Sequence, residues 1–411
     1  MTPRVSTFIT LCTVGFFARL SYALARSPVL PLFALYLGAG PEAIGFAVGI
    51  STVTGIFFKL PAGALSDIIG RRWTMLVGLL FFGFTPLAYL WVESYRLLII
   101  IRFIHGLATA IYSPVAMAMV AEVAGNKKGE MLSWSSSIAI IGNLLGAPLG
   151  GLILHHAAGA AGPTLTEFHL AYLVSGISGL LALNIAFALI REDRATPAGT
   201  GLGESYRRFV AGIREVGSDK RVVITSAMEG MQTMAMGALE AFLPIYAVTV
   251  AGLNEFQAGL LWGVQVVTTI LAKPVLGKSS DRHGRTTPIV AGLLICAVSF
   301  AAVPLLRSFS TLLTAAAFFG LGEAVVTSSG AALVADFCQE KHFGTAMGTF
   351  GTIFDIGHAA GPILAGILIA RYEYRLAFWT LATLLLLAVP VFMLNVKQGK
   401  GQATTTPVVR G

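Results

Sequence analysis

Apolar residues run along this chain in blocks of about 20 or more, separated by short polar interruptions, and nowhere settle into the one-in-two alternation of a half-buried strand. A helix rises ~1.5 Å per residue, so about 20 residues cross ~30 Å of hydrocarbon. Twelve such runs are found, at 8–36, 43–65, 73–92, 97–121, 131–154, 169–190, 222–250, 256–277, 287–306, 311–335, 344–370 and 375–396. Only helices or a closed barrel satisfy the backbone in lipid, and barrel alternation is missing. The pattern predicts an all-α polytopic membrane protein with twelve transmembrane helices.

Composition agrees: of 411 residues, 55% are hydrophobic and 12% charged, and the mean hydropathy is +0.79. That is no water-facing surface. Arg4, the apolar stretch behind it and "ALA" at 23–25 imitate a cleavable signal peptide, but the run continues through "PVLPLFALYL", so it is read as the first helix. The net charge of +8 would suit nucleic acid if it were clustered on one soluble face. Its placement points to topology instead. With the N-terminus inside, 19 of the 28 basic residues fall in tails and loops on that side, four fall in or at the edge of the opposite loops and five inside spans. This bias places both termini in the cytoplasm and the protein in the cell (inner or plasma) membrane. Cys12, Cys296 and Cys338 lie in or at the ends of spans and imply no disulfide framework.

Two phrases recur. Residues 63–72 read "GALSDIIGRR" and 277–285 read "GKSSDRHGR", so that Gly63, Asp67, Gly70 and Arg71 match Gly277, Asp281, Gly284 and Arg285 at an offset of 214. The same offset relates Lys59 to Lys273, Glu122 to Asp336 and Pro148 to Pro362. The chain is therefore a duplicated six-helix unit. The expected organisation is an N-terminal bundle over 1–190, a C-terminal bundle over 222–396 and a cytoplasmic linker over 191–221 with a short amphipathic helix near 204–216. A disordered tail over 397–411 completes it. Glycine in each phrase permits a tight turn, and the acid can pair with a guanidinium, so the two turns are expected to latch the halves together.

These phrases resemble the principal loop motif of the major facilitator superfamily, and the resemblance covers essentially the whole chain. The first copy departs from the motif at Ile68, where a basic residue is usual, whereas the second keeps it as Arg282. In the fourth span "RFIHGLATA" is similar to the family's Arg-x-x-x-Gly-x-x-x-Ala element, associated with proton coupling, and begins at Arg102. In the fifth, "GNLLGAPLGG", with Gly146 and Pro148, is similar to the antiporter glycine-proline motif, Ala147 standing where glycine is usual; "GHAAGPILAG", with Gly361 and Pro362, echoes it. The resemblance implies two six-helix bundles that rock about a central cavity lined by the first, fourth, seventh and tenth helices. It points to the twelve-helix drug:proton antiporter branch.

Ionisable groups inside spans are costly, about 2.5–3.5 kcal/mol each on insertion scales, so each asks for a reason. The first half carries Arg19, Arg26, Lys59, Arg102 and His105; the second carries Glu229, Glu240, Lys273, Glu323, Asp355 and His358. Apart from the two symmetric lysines, one half is cationic and the other anionic. Depth along each helix puts Arg26, Arg102 and Glu240 in the outer third, where a cross-half ion pair is expected, and Arg19, Glu323 and Asp355 near the middle. Asp355, Glu323, Glu240 and Arg102 are the candidates for proton coupling and gating. Arg19, Arg26, His105, Glu229, Gln232 and Met236 are the candidates for the substrate cavity, the last three sharing a helical face with Glu240.

Lys59 and Lys273 read more simply as snorkelling or structural, the single histidines as hydrogen-bonded rather than metal-binding, and Met228, Met231, Met234 and Met236 as packing. No metal site is expected. Nucleophile, zinc-protease and Walker phrases are missing, so the sequence does not read as an enzyme, and an ion gradient, of protons, rather than a cofactor is expected to drive it. The expected function is proton-coupled export of small, partly apolar molecules by a monomer whose partners are substrate and the lipid bilayer. Two alternatives stay open: an organic-anion importer with Arg19 and Arg26 as a carboxylate clamp, and a sensor that binds without carrying.

Overall fold

The computed structural model describes residues 3–156, 162–190, 207, 219–337 and 343–396. The predicted linker helix, the tail and Cys338 lie outside the described residues, as do the side chains of Asp67, Asp281 and Arg282. The helices are α1 (Pro3–Leu24), α2 (Val29–Tyr36), α3 (Pro41–Ile69), α4 (Arg71–Ala88), α5 (Tyr95–Ala124), α6 (Lys128–His156) and α7 (Leu165–Leu189). They continue as α8 (Lys220–Thr249), α9 (Glu255–His283), α10 (Thr286–Ala302), α11 (Phe309–Phe337) and α12 (Phe343–Asn395). The last is two helical segments run together, with Glu373 at φ 62 between them.

Local chemistry sets the ends. Thr164 with Glu167 and Asn254 with Gln257 form capping boxes, and the Ser94 side chain accepts from the backbone N–H of Leu97. The repeated phrase ends its helix at Gly70 and Gly284, with φ of 96° and 88°. A side chain would be strained there, so both copies need glycine for the same backbone reason. The first predicted span, 8–36, is interrupted. The chain leaves the helix over 25–28 and resumes as α2, because Pro28 lacks an N–H and disfavours helix in the residue before it.

Ten elements are long and apolar enough to cross a membrane, with α1 and α2 counted together and both segments of α12 counted as one. Helix α8 is not among them despite its 30 residues, since it carries Glu229, Gln232 and Glu240. It is instead buried along most of its length, which keeps these groups away from lipid.

Within the first six spans α1 packs on α6 and α7, and α5 on α3 and α4; within the last six α8 packs on α12, and α11 on α9 and α10. Two seams join the sets, α3 against α12 and α6 against α9. At the end of the bundle remote from residues 190 and 219, called here the far end, one buried apolar cluster runs across both sets, from Leu24, Phe33 and Phe168 to Phe242 and Tyr246. Toward the linker end the buried clusters separate, one around Leu11, Met75 and Val115, another around Val222, Val334 and Phe350. Among the described residues, the far end is closed by a cluster common to both sets.

Candidate functional site

The seams close through backbone contact. A Cβ on Gly45 would lie 2.0 Å from the Pro362 carbonyl oxygen, and one on Gly259 would lie 2.6 Å from that of Ala147, next to Pro148. Gly45 and Gly259, like Pro148 and Pro362, differ by 214, so the duplication extends to the contacts between halves. Gly146 and Gly361 make the same close approaches inside each half, to Ala23 and to the Met234 carbonyl. Beyond the α6–α9 seam, His155 Nδ1 on α6 stands 3.6 Å from Glu255 Oε2 on α9.

Beneath this closure a cavity of about 210 Å³ opens between α1, α6, α8, α9 and α11. Its charged lining is Arg26, Glu240, Lys273 and Glu323; Tyr22 and Trp262 supply flat apolar walls. Arg26 sits in the break between α1 and α2 and forms an ion pair with Glu240, which is almost wholly buried. His358 Nε2 lies 3.1 Å from Glu240 Oε2 and 3.3 Å from Arg26 Nη2, and its Nδ1 lies 3.3 Å from Thr52 Oγ1. Arginine, carboxylate and imidazole thus form one cluster across the two halves. Glu323 accepts from Gln265 Nε2 and Thr269 Oγ1, each at 3.2 Å.

Arg102 is fully buried, and among the described residues no carboxylate forms an ion pair with it. It stacks over Tyr22 at 5.1 Å while Arg26 lies over the same ring at 5.6 Å, so one phenol stands against two guanidinium groups. Its Nη1 is 3.4 Å from Nδ1 of buried His105, to which Tyr89 also reaches at 3.3 Å. Gly106, next in the motif, lets α5 approach the α3 backbone at Ser51. Arg19 donates to Ser113 Oγ at 3.1 Å inside its own half, and not to a carboxylate.

Asp355 does not line this cavity. Lys59 donates to it at 2.5 Å across the α3–α12 seam, so the lysine read as snorkelling or structural is an ion-pair partner. Its duplicate Lys273 has no such acid, because the position 214 before Asp355 is Ile141, and it faces the cavity instead. Glu229 and Gln232 are enclosed between α8 and α11, and Met236 packs against the apolar core. Arg71 forms an ion pair with Glu122 and Arg285 with Asp336, pairs that match at the 214 offset and lie within one half each; the acids of the two turns expected to latch the halves, Asp67 and Asp281, have side chains outside the described residues.

His358, Lys273, Tyr22 and Trp262 were not singled out from sequence as site residues. For Lys273 a signal existed: Gln265, Thr269 and Lys273 recur at intervals of four on an otherwise apolar helix, a polar stripe aimed inward.

Two bundles that meet on glycine seams and close over charged side chains at mid-depth are a transport architecture. The sequence profile of the Major Facilitator Superfamily matches the chain twice, over residues 11–268 and 252–408. The chain belongs to this superfamily. An uncharacterized transporter of the superfamily from Methanocaldococcus jannaschii is 23% identical over 365 residues, 89% of each chain. The multidrug transporter MdfA of Yersinia pestis is 28% identical over 256 residues, 60% of this chain and 59% of that one. The chromaffin granule amine transporter of Rattus norvegicus is 22% identical over 312 residues, 75% of this chain and 57% of that one. Among solved structures, the nucleoside transporter NupG aligns over 95% of this chain and 100% of its own with a TM-score of 0.78 at 12% identity. A bacterial homolog of the human lysosomal transporter Spinster, inward-facing and occupied, aligns over 96% and 97% with a TM-score of 0.79 at 13% identity. At such identities these two bear on the fold alone. Like its superfamily, the protein is a multi-pass membrane transporter and not an enzyme.

Proposed function

We propose that this transporter is a proton-coupled exporter of small, partly apolar molecules, working as a monomer with both termini in the cytoplasm. The observation that carries the reading is the mid-depth cavity, in which Glu240 and Glu323 face aromatic walls beneath a closed far end. MdfA is a multidrug transporter and the rat relative an amine transporter, which favours substrates with an apolar body and a basic group. A carboxylate that passes between water and a buried setting changes its proton affinity, and one alternately occupied by proton and substrate couples the two.

The three acids have different tasks in this scheme. Glu323, held by amide and hydroxyl donors rather than by a cation within ion-pair distance, alternates between proton and substrate. Glu240 keeps the far end shut while Arg26 and His358 hold it, and Asp355 does the same for the α3–α12 seam through Lys59. Arg102 is the cation to which Glu240 can turn when Arg26 leaves. The anion-importer alternative is less favoured for Arg26, whose guanidinium is engaged by Glu240.

The test is accumulation of fluorescent amphiphilic cations in inverted membrane vesicles on imposing a proton gradient. Wild type is expected to accumulate them and Glu323→Gln to bind but not concentrate them. A Glu323→Gln variant with wild-type accumulation and pH dependence refutes the coupling role, and binding without accumulation in wild type favours the sensor.

A further inference from the structure

We propose that the last six helices enclose a binding site for a small monovalent cation, sodium, between α8 and α11 around Glu229. The transport scheme leaves this carboxylate unused. Glu229 is fully buried, and neither of its oxygens finds a hydrogen bond or an ion pair among the described residues. Gln232 and Thr225, one turn to either side on the same helical face, are as deeply buried, and the Gln232 amide and the Thr225 hydroxyl are likewise without partners. Ser226 adds another unpartnered buried hydroxyl from α8.

Helix α11 closes the other side. Ser329 is fully buried with an unpartnered hydroxyl, and Gly330 beside it faces the carboxylate: a Cβ there would lie 3.8 Å from Glu229 Oε2, at ordinary contact distance. Thr327 is also adjacent to the carboxylate, outside hydrogen-bond geometry. Buried polar groups without partners are costly, and here several lie on the α8 turns beside Glu229 and on the stretch of α11 that faces it. The cluster is arranged for an occupant.

The chemistry of the lining selects that occupant. One carboxylate, an amide carbonyl and several hydroxyls are hard oxygen donors, and no histidine or cysteine groups with acids in a transition-metal set among the described residues. The Glu229 carboxylate brings a single negative charge to this lining, matched by a monovalent ion. A proton would neutralise Glu229 while leaving the Gln232 carbonyl and the hydroxyl oxygens uncoordinated; an alkali cation engages several at once. A bound ion would also tie α8 to α11, two helices that border the transport cavity.

The experiment is equilibrium binding of radiolabelled sodium to purified full-length protein in detergent, with choline balancing ionic strength and no transport substrate or gradient present. Saturable binding is expected, weakened by roughly 10- to 100-fold in Glu229→Gln and measurably in Ser329→Ala. Glu122→Gln, which alters a carboxylate at the linker end, should bind as wild type does. Sodium should raise the melting temperature of wild type relative to choline and leave that of Glu229→Gln unmoved. If folded wild type shows no saturable sodium binding, or if Glu229→Gln binds as wild type does, the proposal is overturned; infrared detection of a protonated Glu229 in sodium would assign the pocket to a proton and overturn it likewise. The readout involves no transport, so it stands or falls separately from the export scheme.

Discussion

At the scale of single residues, the cluster of Arg26, Glu240 and His358 decides how the far end is held. Removing one partner from a buried pair leaves the other uncompensated, at a cost of about 3–5 kcal/mol, whereas removing both is far milder. Glu240→Gln is therefore expected to lower the melting temperature more than the Arg26→Gln/Glu240→Gln double variant, as thermal unfolding of the purified proteins would show. A double variant that loses the sum of the two single losses would mean that the two side chains act independently. The sequence announced Arg26 and Glu240, because charges within apolar runs stand out and helical depth placed them at one level. It did not announce His358, whose role comes from a fold contact between residues 332 apart in the chain. For Arg19 the depth was legible in the sequence, but not that Ser113 on α5 is what it meets.

At the scale of elements, the seams work because two helices touch backbone to backbone. Valine at Gly45 or Gly259 would drive a side chain into the facing carbonyl, so either change should disfavour the closed far end and raise the population open there. In a background free of native cysteines, Ser27→Cys, almost fully buried beside the cavity, should react faster with a membrane-impermeant thiol reagent applied from the far side once Gly259→Val is added. An unchanged labelling rate would show that the seam tolerates the bulk. Helix existence was legible throughout from apolar run length, and the duplication from its repeated phrase. The break at 25–28 was not, since hydropathy runs straight through Pro28. Pairing of the repeated turns within each half was likewise hidden: spacing shows that Arg71 and Arg285 are equivalent, not which acid each meets.

At the scale of the whole molecule, the Lys59–Asp355 pair spans the halves on one seam, and the equivalent place on the other seam holds Lys273 and Ile141. Separating the halves along their seams therefore meets ionic resistance on one side only. Lys59→Asp and Asp355→Lys singly should each shift the linker-end separation, measured between spin labels on α3 and α12, and the double exchange should restore the wild-type distribution. If the double variant stays as displaced as the singles, the two charges do not act as a pair.

The division of charge between the halves has an electrical meaning. Arg19 and Arg102 belong to the first half and are held by a hydroxyl and by aromatic and imidazole rings, while Glu229 belongs to the second and has no cation beside its oxygens. The protein thus carries a permanent dipole lying in the plane of the membrane. When the halves tilt in opposite senses, part of that dipole swings along the membrane normal, where each elementary charge moved across the full potential is worth about 2.3 kcal/mol per 100 mV. The empty transporter should behave as a weak voltage sensor, its resting orientation biased by membrane polarisation before any substrate arrives.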